Sequence, residues 1–219
     1  MHYAPGQEPC PLPFSPFKSC TVPRPIGWLS TLSKDGVPNL APYSQWQNLT
    51  FDPPLVMFAA NQLGDGRRKD TVINAEETGW FVWNMATHAL REAVNISAME
   101  LPSDVDEFER AGVTKEDCVD APVSRVAESP AHFECRYMST HRLKGHSNHG
   151  TVDVVYGEVV RIHVDDTVIT PEGKLDIPLI KPIARMGYYD YTTVTEVFEM
   201  KVPGASSTQG AGMMGTGSV

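Results

Sequence analysis

Short apolar runs, separated by glycine and proline turns, are the feature that most constrains the fold of this chain. The runs are continuous or alternating and rich in β-branched and aromatic residues, which is typical of strands. Six of them occur, at residues 26–32, 54–61, 80–85, 132–143, 152–164 and 185–200. Asp35-Gly36 is a hairpin signal, and Gly157 within a β-rich run indicates a bulge. The pattern predicts a mostly β fold, a β-barrel with helical insertions.

Three short helices are expected between the strands. Asp70 is a good N-cap for a helix over residues 71–77, and Gly79 stands where a C-terminal cap would fall. Residues 87–99 have helical spacing with Thr87 as a cap. A third helix is predicted at residues 104–112, ended by its glycine. The run NLAPYSQWQNLTF is predicted to be a strand broken by Pro42.

One domain with two arms is the expected organisation of the 219 residues. No low-complexity linker divides residues 23–200, so these form the predicted domain. Residues 1–22 are proline-rich and are predicted to be an extended arm. Residues 201–219 are small and polar and are predicted to be a flexible tail.

Charge and cysteine usage limit the function classes. The net charge of −9 argues against nucleic acid as a partner, because phosphate backbones need a basic face. The four cysteines show no metal-ligand spacing, and Cys135 alternates with aromatic residues as a core residue would. The sequence shows neither a signal peptide nor an apolar run near the ~20 residues of a membrane span. We therefore expect no membrane partner and a cytoplasmic protein.

A basic cluster in this acidic chain precedes the first predicted helix. Arg67, Arg68 and Lys69 stand directly before Asp70. A helix start offers free backbone N–H groups and partial positive charge, which suits a dianion such as phosphate. The alternative interpretation is a solvated surface turn whose basic side chains pair with Glu76 and Glu77.

The stretch PRPIGWLSTLSKDGVPNLAPYSQW, residues 23–46, is rich in prolines and small hydroxyl residues. Ser30, Thr31 and Ser44 are uncharged donors and acceptors of the kind that a planar heterocycle with carbonyls and ring nitrogens needs. An ordinary hairpin with turn residues would explain the same composition.

The motifs PRPIGWLST, PNLAPYSQW, DPPLVMFAAN, RKDTVINAEETGWFVWNM, DEFERAG and YGEVV follow one another in this order. Together they resemble the flavin reductase-like, FMN-binding split-barrel family, over about Pro23 to Met200. The flavoredoxin-like branch is the most similar, because KDT follows the third segment and Arg185-Met186-Gly187 lies near the C-terminus. The resemblance implies a six-stranded Greek-key split barrel and a homodimer with FMN near the subunit interface.

The resemblance also implies which residues hold the cofactor. These are Arg24, Pro25, Ser30, Thr31, Asn39, Ala41, Pro42, Tyr43, Ser44, Ala60, Asn61, Arg68, Lys69, Asp70 and Thr71. Lys69, Asp70 and Thr71 match the phosphate-side motif, with Arg67 and Arg68 as helpers. Trp46, which follows the Ser44 motif, is the candidate for stacking on the flavin ring.

The implied function is an FMN-dependent oxidoreductase that passes electrons from NAD(P)H or another reduced donor to flavin or a small acceptor. No protein acid, base or nucleophile is required, because the flavin supplies the redox chemistry. The alternative is a non-catalytic, flavoredoxin-type electron carrier with a small-molecule or protein partner. A third possibility, a pyridoxamine-phosphate oxidase-like enzyme, is disfavoured by the motif set.

A departure from the family pattern concerns the nicotinamide. Small reductases of the family often carry a histidine five residues before the glycine of GEV, where this chain has Val152. His149-Gly150 lies three positions too early. The segment with His141, His146 and His149 has three interpretations: a metal site, a loop over the flavin face, or a solvent loop. Its glycines and polar residues favour a loop, so we expect no metal.

Overall fold

The computed structural model describes residues 1–204 of the chain. Its strands are β1 (Arg24–Pro25), β2 (Gly27–Leu32), β3 (Pro38–Tyr43), β4 (Trp46–Phe51), β5 (Pro54–Asn61), β6 (Trp80–Asn84), β7 (Lys115–Glu116), β8 (Arg125–Val126), β9 (Ala131–Leu143), β10 (Val152–Val164), β11 (Ile183–Gly187) and β12 (Asp190–Thr193). Its helices are α1 (Asp70–Thr78), α2 (Arg91–Ile96), α3 (Glu107–Ala111) and α4 (Ile177–Ile180), with a 3₁₀ turn at Asp166–Val168.

The principal sheet is antiparallel, with the strand order β3-β2-β6-β9-β10-β5-β4. Its two edge strands, β3 and β4, are consecutive in the chain and are separated only by Ser44 and Gln45. A sheet whose opposite edges are joined by two residues must curl round on itself. With β3 and β4 counted as one interrupted strand, the sheet is a six-stranded barrel. The mostly β, split-barrel fold expected from the sequence is confirmed.

The interruption of this strand does not lie at Pro42. Pro42 is inside β3, opposite Trp28 of β2, and the chain bends two residues later. Proline is tolerated here because β3 is an edge strand of the assigned sheet. The prediction of a strand broken at Pro42 was therefore wrong in position.

Gly157 lies at a register shift between β9 and β10, as the bulge prediction required. A Cβ atom at this position would come within 2.4 Å of the Phe81 ring. Phe81 is completely buried and packs edge-on against Phe58 in the barrel core. The absence of a side chain at Gly157 thus lets β10 approach this aromatic core. Cys135 is buried in the same core, as predicted.

The helices differ from the prediction at their beginnings. Lys69, and not Asp70, is the N-cap residue of α1, and no side chain caps the helix. Gly79 ends α1 with φ of 80°, as predicted. A helix was predicted over residues 87–99, but α2 covers only Arg91–Ile96. Thr87 does not cap it, because Thr87 is buried and forms an isolated β-bridge with Pro182. The third predicted helix is α3, capped by the Asp106 carboxylate.

A second, three-stranded sheet has the order β1-β11-β12. The predicted β-rich stretch 185–200 is therefore strand only to Thr193, and residues 194–204 have no regular structure. Residues 1–22 form turns and one isolated bridge. The predicted tail 201–219 lies mostly outside the described residues. Among residues 1–204, no helix is long and apolar enough to cross a membrane.

Candidate functional site

A cavity of about 480 Å³ lies between β3, the turn that precedes α1 and the segment that follows α2. This volume is in the range of small-molecule sites. Eight of the fifteen predicted cofactor residues line this cavity: Asn39, Ala41, Pro42, Tyr43, Arg68, Lys69, Asp70 and Thr71. Arg67, the predicted helper, lines it as well.

The Thr71 hydroxyl is the centre of a polar network in this cavity. Its Oγ1 accepts hydrogen bonds from Asn39 Nδ2 at 3.0 Å and from the Tyr43 hydroxyl at 2.9 Å. Because both lone pairs are used, the hydroxyl proton remains to be donated. Burial strongly raises the pKa of Tyr43, so its hydroxyl stays protonated as a donor. The network presents a donor at the first turn of α1, where helix N–H groups also favour an anion.

Ser30 and Thr31 lie behind the cavity and do not line it. Thr31 is buried, and its Oγ1 accepts from Asn39 Nδ2 and from Asn74 Nδ2, both at 3.1 Å. Ser30 is completely buried and donates to the carbonyl of Ser124 at 2.7 Å. Thr31 therefore orients Asn39. Direct contact of Ser30 and Thr31 with a ligand was expected, but their buried positions do not favour it.

The other predicted residues also lie away from this cavity. Arg24 and Pro25 form β1, which pairs with β11. Ala60 is buried in β5, and the Asn61 amide donates to the His149 carbonyl at 3.1 Å. Ser44 is in the bend between β3 and β4.

Arg68 is fully engaged by carboxylates. Its guanidinium binds both oxygens of Glu76, at 2.6 and 2.7 Å, and Asp153 at 2.9 Å. Asp153 also accepts from Arg142 at 2.7 Å. This partly buried network links α1 to β10, so Arg68 stabilises the wall of the cavity and is not a free phosphate ligand.

The surface-turn interpretation was thus right for the pairing with Glu76. Glu77, in contrast, pairs with Lys34 at 3.0 Å. Arg67 pairs with the exposed Asp65 at 2.7 Å.

Lys69 is the basic residue best placed to exchange partners. Its Nζ donates to Glu100 Oε1 at 2.9 Å, and the Glu100 side chain is 67% exposed. Solvent-exposed pairs of this kind contribute about 0–1 kcal/mol. A phosphate that enters the cavity can therefore take the place of Glu100 at small cost.

Glu107 is a site residue that the sequence reasoning missed. It lines the cavity, is only 7% exposed, and accepts from the Leu40 backbone N–H at 3.2 Å. Burial, with smaller contributions from Asp70 and Asp106, raises the pKa of Glu107 to about 7. Its segment DEFERAG was interpreted as a short helix and as one motif of the family, and neither interpretation marked Glu107 as a site residue.

Trp46 is not available to a ligand. It is 5% exposed and stacks on Trp83, with ring centroids 5.8 Å apart and an interplanar angle of 2°. Packing against Gly27 completes its burial. The predicted stacking residue is therefore a core residue, and Tyr43 is the aromatic side chain in the cavity.

A barrel closed through an interrupted strand, with a cavity at the first turn of the helix beside it, defines the class of split barrels. The sequence profile described as "Flavin reductase like domain" matches residues 19–189. The chain belongs to the flavin reductase-like family.

The chain is also similar to other proteins and to solved structures. An uncharacterised protein of Aquifex aeolicus is 34% identical over 184 residues, which are 83% of this chain and 89% of the relative. The structure of nitrilotriacetate monooxygenase component B from Bacillus cereus matches with a TM-score of 0.83 and 29% identity, over 91% of this chain and 98% of that one. Flavoredoxin of Desulfovibrio vulgaris (Miyazaki F) matches with a TM-score of 0.71 over 93% and 99%, and at 18% identity it shows the fold alone.

Proposed function

We propose that this protein binds FMN in the cavity, with the phosphate at the start of α1, and acts as an FMN-dependent oxidoreductase. It passes electrons from NAD(P)H or another reduced donor to flavin or a small acceptor. The observation that carries the proposal is the Thr71 hydroxyl, held by Asn39 and Tyr43 beside Lys69. Membership of the flavin reductase-like family supports flavin as the ligand.

The bound flavin would supply the redox chemistry, and the chain would supply binding and orientation. Lys69 neutralises phosphate charge, Thr71 donates a hydrogen bond, and Arg68 holds the wall in place. Neither cysteine nor histidine is among the residues that line the cavity. The contacts of Pro25, Ser44, Ala60 and Asn61 with the flavin stay predictions.

The electron donor is tested by anaerobic stopped-flow reduction of the flavin-loaded protein. We expect NADH and NADPH to bleach the flavin slowly, because Val152 replaces the positioning histidine and hydride transfer needs close alignment of the two rings. Dithionite should reduce it fully. Steady oxidation of NAD(P)H with added FMN or FAD distinguishes a reductase from an electron carrier.

The histidine loop provides the controls for this experiment. The His149 carbonyl binds Asn61 beside the first residue of β10, so His149 is near the position of the missing histidine. Rapid bleaching that is lost in His149→Ala and kept in His146→Ala would contradict the expectation and make His149 the positioning residue. Purified protein with no flavin absorption, and none after addition of FMN, would refute the proposed function itself.

Protonation of Glu107 is expected to control flavin affinity. A phosphate monoester keeps most of its second charge above a pH of about 6. Between pH 6.5 and 8, deprotonation of Glu107, whose pKa is near 7, adds a negative charge to the same cavity. The Kd for FMN should therefore rise over this interval, by at most about eightfold for a single group with this pKa. In Glu107→Gln the Kd should stay nearly constant, and an unchanged slope in that variant would exclude this role.

We also propose a homodimer. The arms expose large apolar side chains that one copy does not cover: Phe14 is 71% and Phe17 76% exposed, and Phe198 is 85% exposed. Packing of these segments on a second copy would remove apolar surface from water. Light scattering should give about 48 kDa, twice the 24.1 kDa chain. Phe14→Ser with Phe17→Ser should weaken the dimer, and a ~24 kDa wild-type particle at micromolar concentration would contradict it.

A further inference from the structure

A second cavity, of about 540 Å³, lies between α2 and the small β1-β11-β12 sheet. Its lining includes two arginines, Arg91 and Arg185, two tyrosines, Tyr189 and Tyr191, and one carboxylate, Glu92, which lies 3.5 Å from Arg91. Arg91 and Glu92 belong to α2, whereas the other three belong to β11, β12 and the turn between them. The cavity shares no lining residue with the proposed flavin site, to which the segment from Ser97 onwards contributes.

Arg24 projects on the same side of the small sheet as this cavity. Arg24 lies directly opposite Arg185 in the β1–β11 ladder, and Arg185 lies opposite Tyr191 in the β11–β12 ladder. Residues opposed in antiparallel strands project to the same face. The guanidinium of Arg24 is therefore a neighbour of Arg185, and it is only 9% exposed.

The Arg24 guanidinium is incompletely satisfied. Its Nη1 donates to the carbonyls of Lys18 and Thr21, whereas Nε and Nη2 are buried without a partner. In residues 1–204 the other buried side-chain polar atom without a partner is Ser19 Oγ, which lies against Gly187 of β11. All the unsatisfied buried side-chain atoms of the described chain are thus near one end of the small sheet.

The charges at this place are only partly compensated, because Glu92 pairs with Arg91 alone. Among residues 1–204, neither Arg24 nor Arg185 has a carboxylate within 4.0 Å. Residues 205–219 contain no aspartate or glutamate. Arg68, in contrast, is neutralised by two carboxylates, although its side chain is more exposed than that of Arg24. Two neighbouring guanidinium groups, one of them buried and neither paired with a carboxylate, are costly, and a bound anion would offset this cost.

We propose that this cavity is a binding site for a small organic anion, held at its charged end by Arg185 and Arg91 and at its planar part by Tyr189 and Tyr191. The Arg24 guanidinium, beside Arg185, adds positive charge behind this end. Guanidinium forks match carboxylate and phosphate oxygens. The volume is larger than an inorganic ion needs and suits a small molecule. Tyr189 is 94% exposed, and Arg185 already lies over the Tyr191 ring, 4.6 Å from its centroid, so both rings are placed to receive a planar ligand.

Calorimetric titration of the full chain with three probes tests this site. Benzoate carries a carboxylate, phenyl phosphate carries a phosphate ester, and benzamide is the neutral control. We expect saturable binding of at least one of the two anions and none of benzamide. The anion that binds more tightly identifies the charged group of the ligand.

Arg185→Gln should weaken anion binding by at least about tenfold, because one guanidinium fork is lost. Arg110→Gln, which removes an exposed arginine of α3, should leave it unchanged. FMN affinity should be the same in wild type and Arg185→Gln, which keeps this test separate from that of the flavin site. Arg91→Gln serves as the second cavity variant if Arg185→Gln does not fold.

Three results would overturn the proposal. The first is the absence of saturable anion binding up to about 10 mM. The second is anion binding of equal strength in wild type and in both cavity variants. The third is competition between the anion and FMN, which would make Arg24 and Arg185 part of the flavin site.

Discussion

Lys69→Ala is expected to weaken FMN binding by about 1–3 kcal/mol, the range for a charge-assisted hydrogen bond. This corresponds to roughly fivefold to 150-fold in Kd. The physical reason is that Lys69 offers a compact positive charge at the first turn of α1, and its resident partner, Glu100, is exposed and weakly held. Riboflavin lacks the phosphate, so its affinity should be lower in wild type and almost unchanged by the substitution.

The measurement is titration of apoprotein with FMN and with riboflavin, followed by flavin fluorescence. Lys34→Ala is the matched control, because Lys34 also pairs with one glutamate, Glu77, but at the far end of α1. It should leave both affinities unchanged. Equal affinities of wild type for FMN and riboflavin would contradict a phosphate site at Lys69 and Thr71.

Glu134→Gln is expected to destabilise the fold by roughly 3 kcal/mol, in the range for breaking a buried charged network. Glu134 is completely buried in β9, and its two carboxylate oxygens accept from the backbone N–H groups of Val119, Asp120 and Ala121 at 2.7–2.9 Å. His163 Nε2 lies 2.6 Å from the same carboxylate. One side chain thus ties the 119–121 loop and β10 to the barrel, and an amide cannot accept all of these bonds.

This contribution to stability depends on pH in a defined direction. Burial alone would raise the pKa of Glu134, but the backbone donors and the His163 ring outweigh it and lower the pKa to about 2. A lowered folded-state pKa gives stability that is present above the unfolded value of about 4.5 and is lost as pH falls toward 2. The difference in unfolding free energy between wild type and Glu134→Gln should therefore be largest at pH 5 and above and shrink toward pH 2.

Urea unfolding at several pH values measures both effects. Glu128→Gln is the control, since Glu128 also accepts from a backbone N–H, that of Thr114, but at an exposed position. It should cost less than about 1 kcal/mol. A Glu134→Gln variant as stable as wild type at pH 7 would show that the buried carboxylate does not anchor the loop.

The sequence by itself predicted most of the barrel strands, several turns and the family. Strand-forming runs and the roles of Gly79, Gly112 and Gly157 depend on local composition and backbone freedom, which can be interpreted residue by residue. The ordered motifs indicated the split barrel. They also placed Asn39, Tyr43 and Thr71 in one site, although 32 residues separate the first and last of these.

Only the tertiary structure decided which charges are free and which aromatic ring is accessible. Arg68 is neutralised by Asp153, 85 residues away, because the pairing of β10 with β5 brings that carboxylate to α1. Trp46 is buried because barrel closure places it against Trp83. The exposed Glu100 partner of Lys69 and the uncompensated Arg24 depend in the same way on packing between distant segments. Ion pairing and burial are properties of non-local contacts, so local sequence patterns do not determine them.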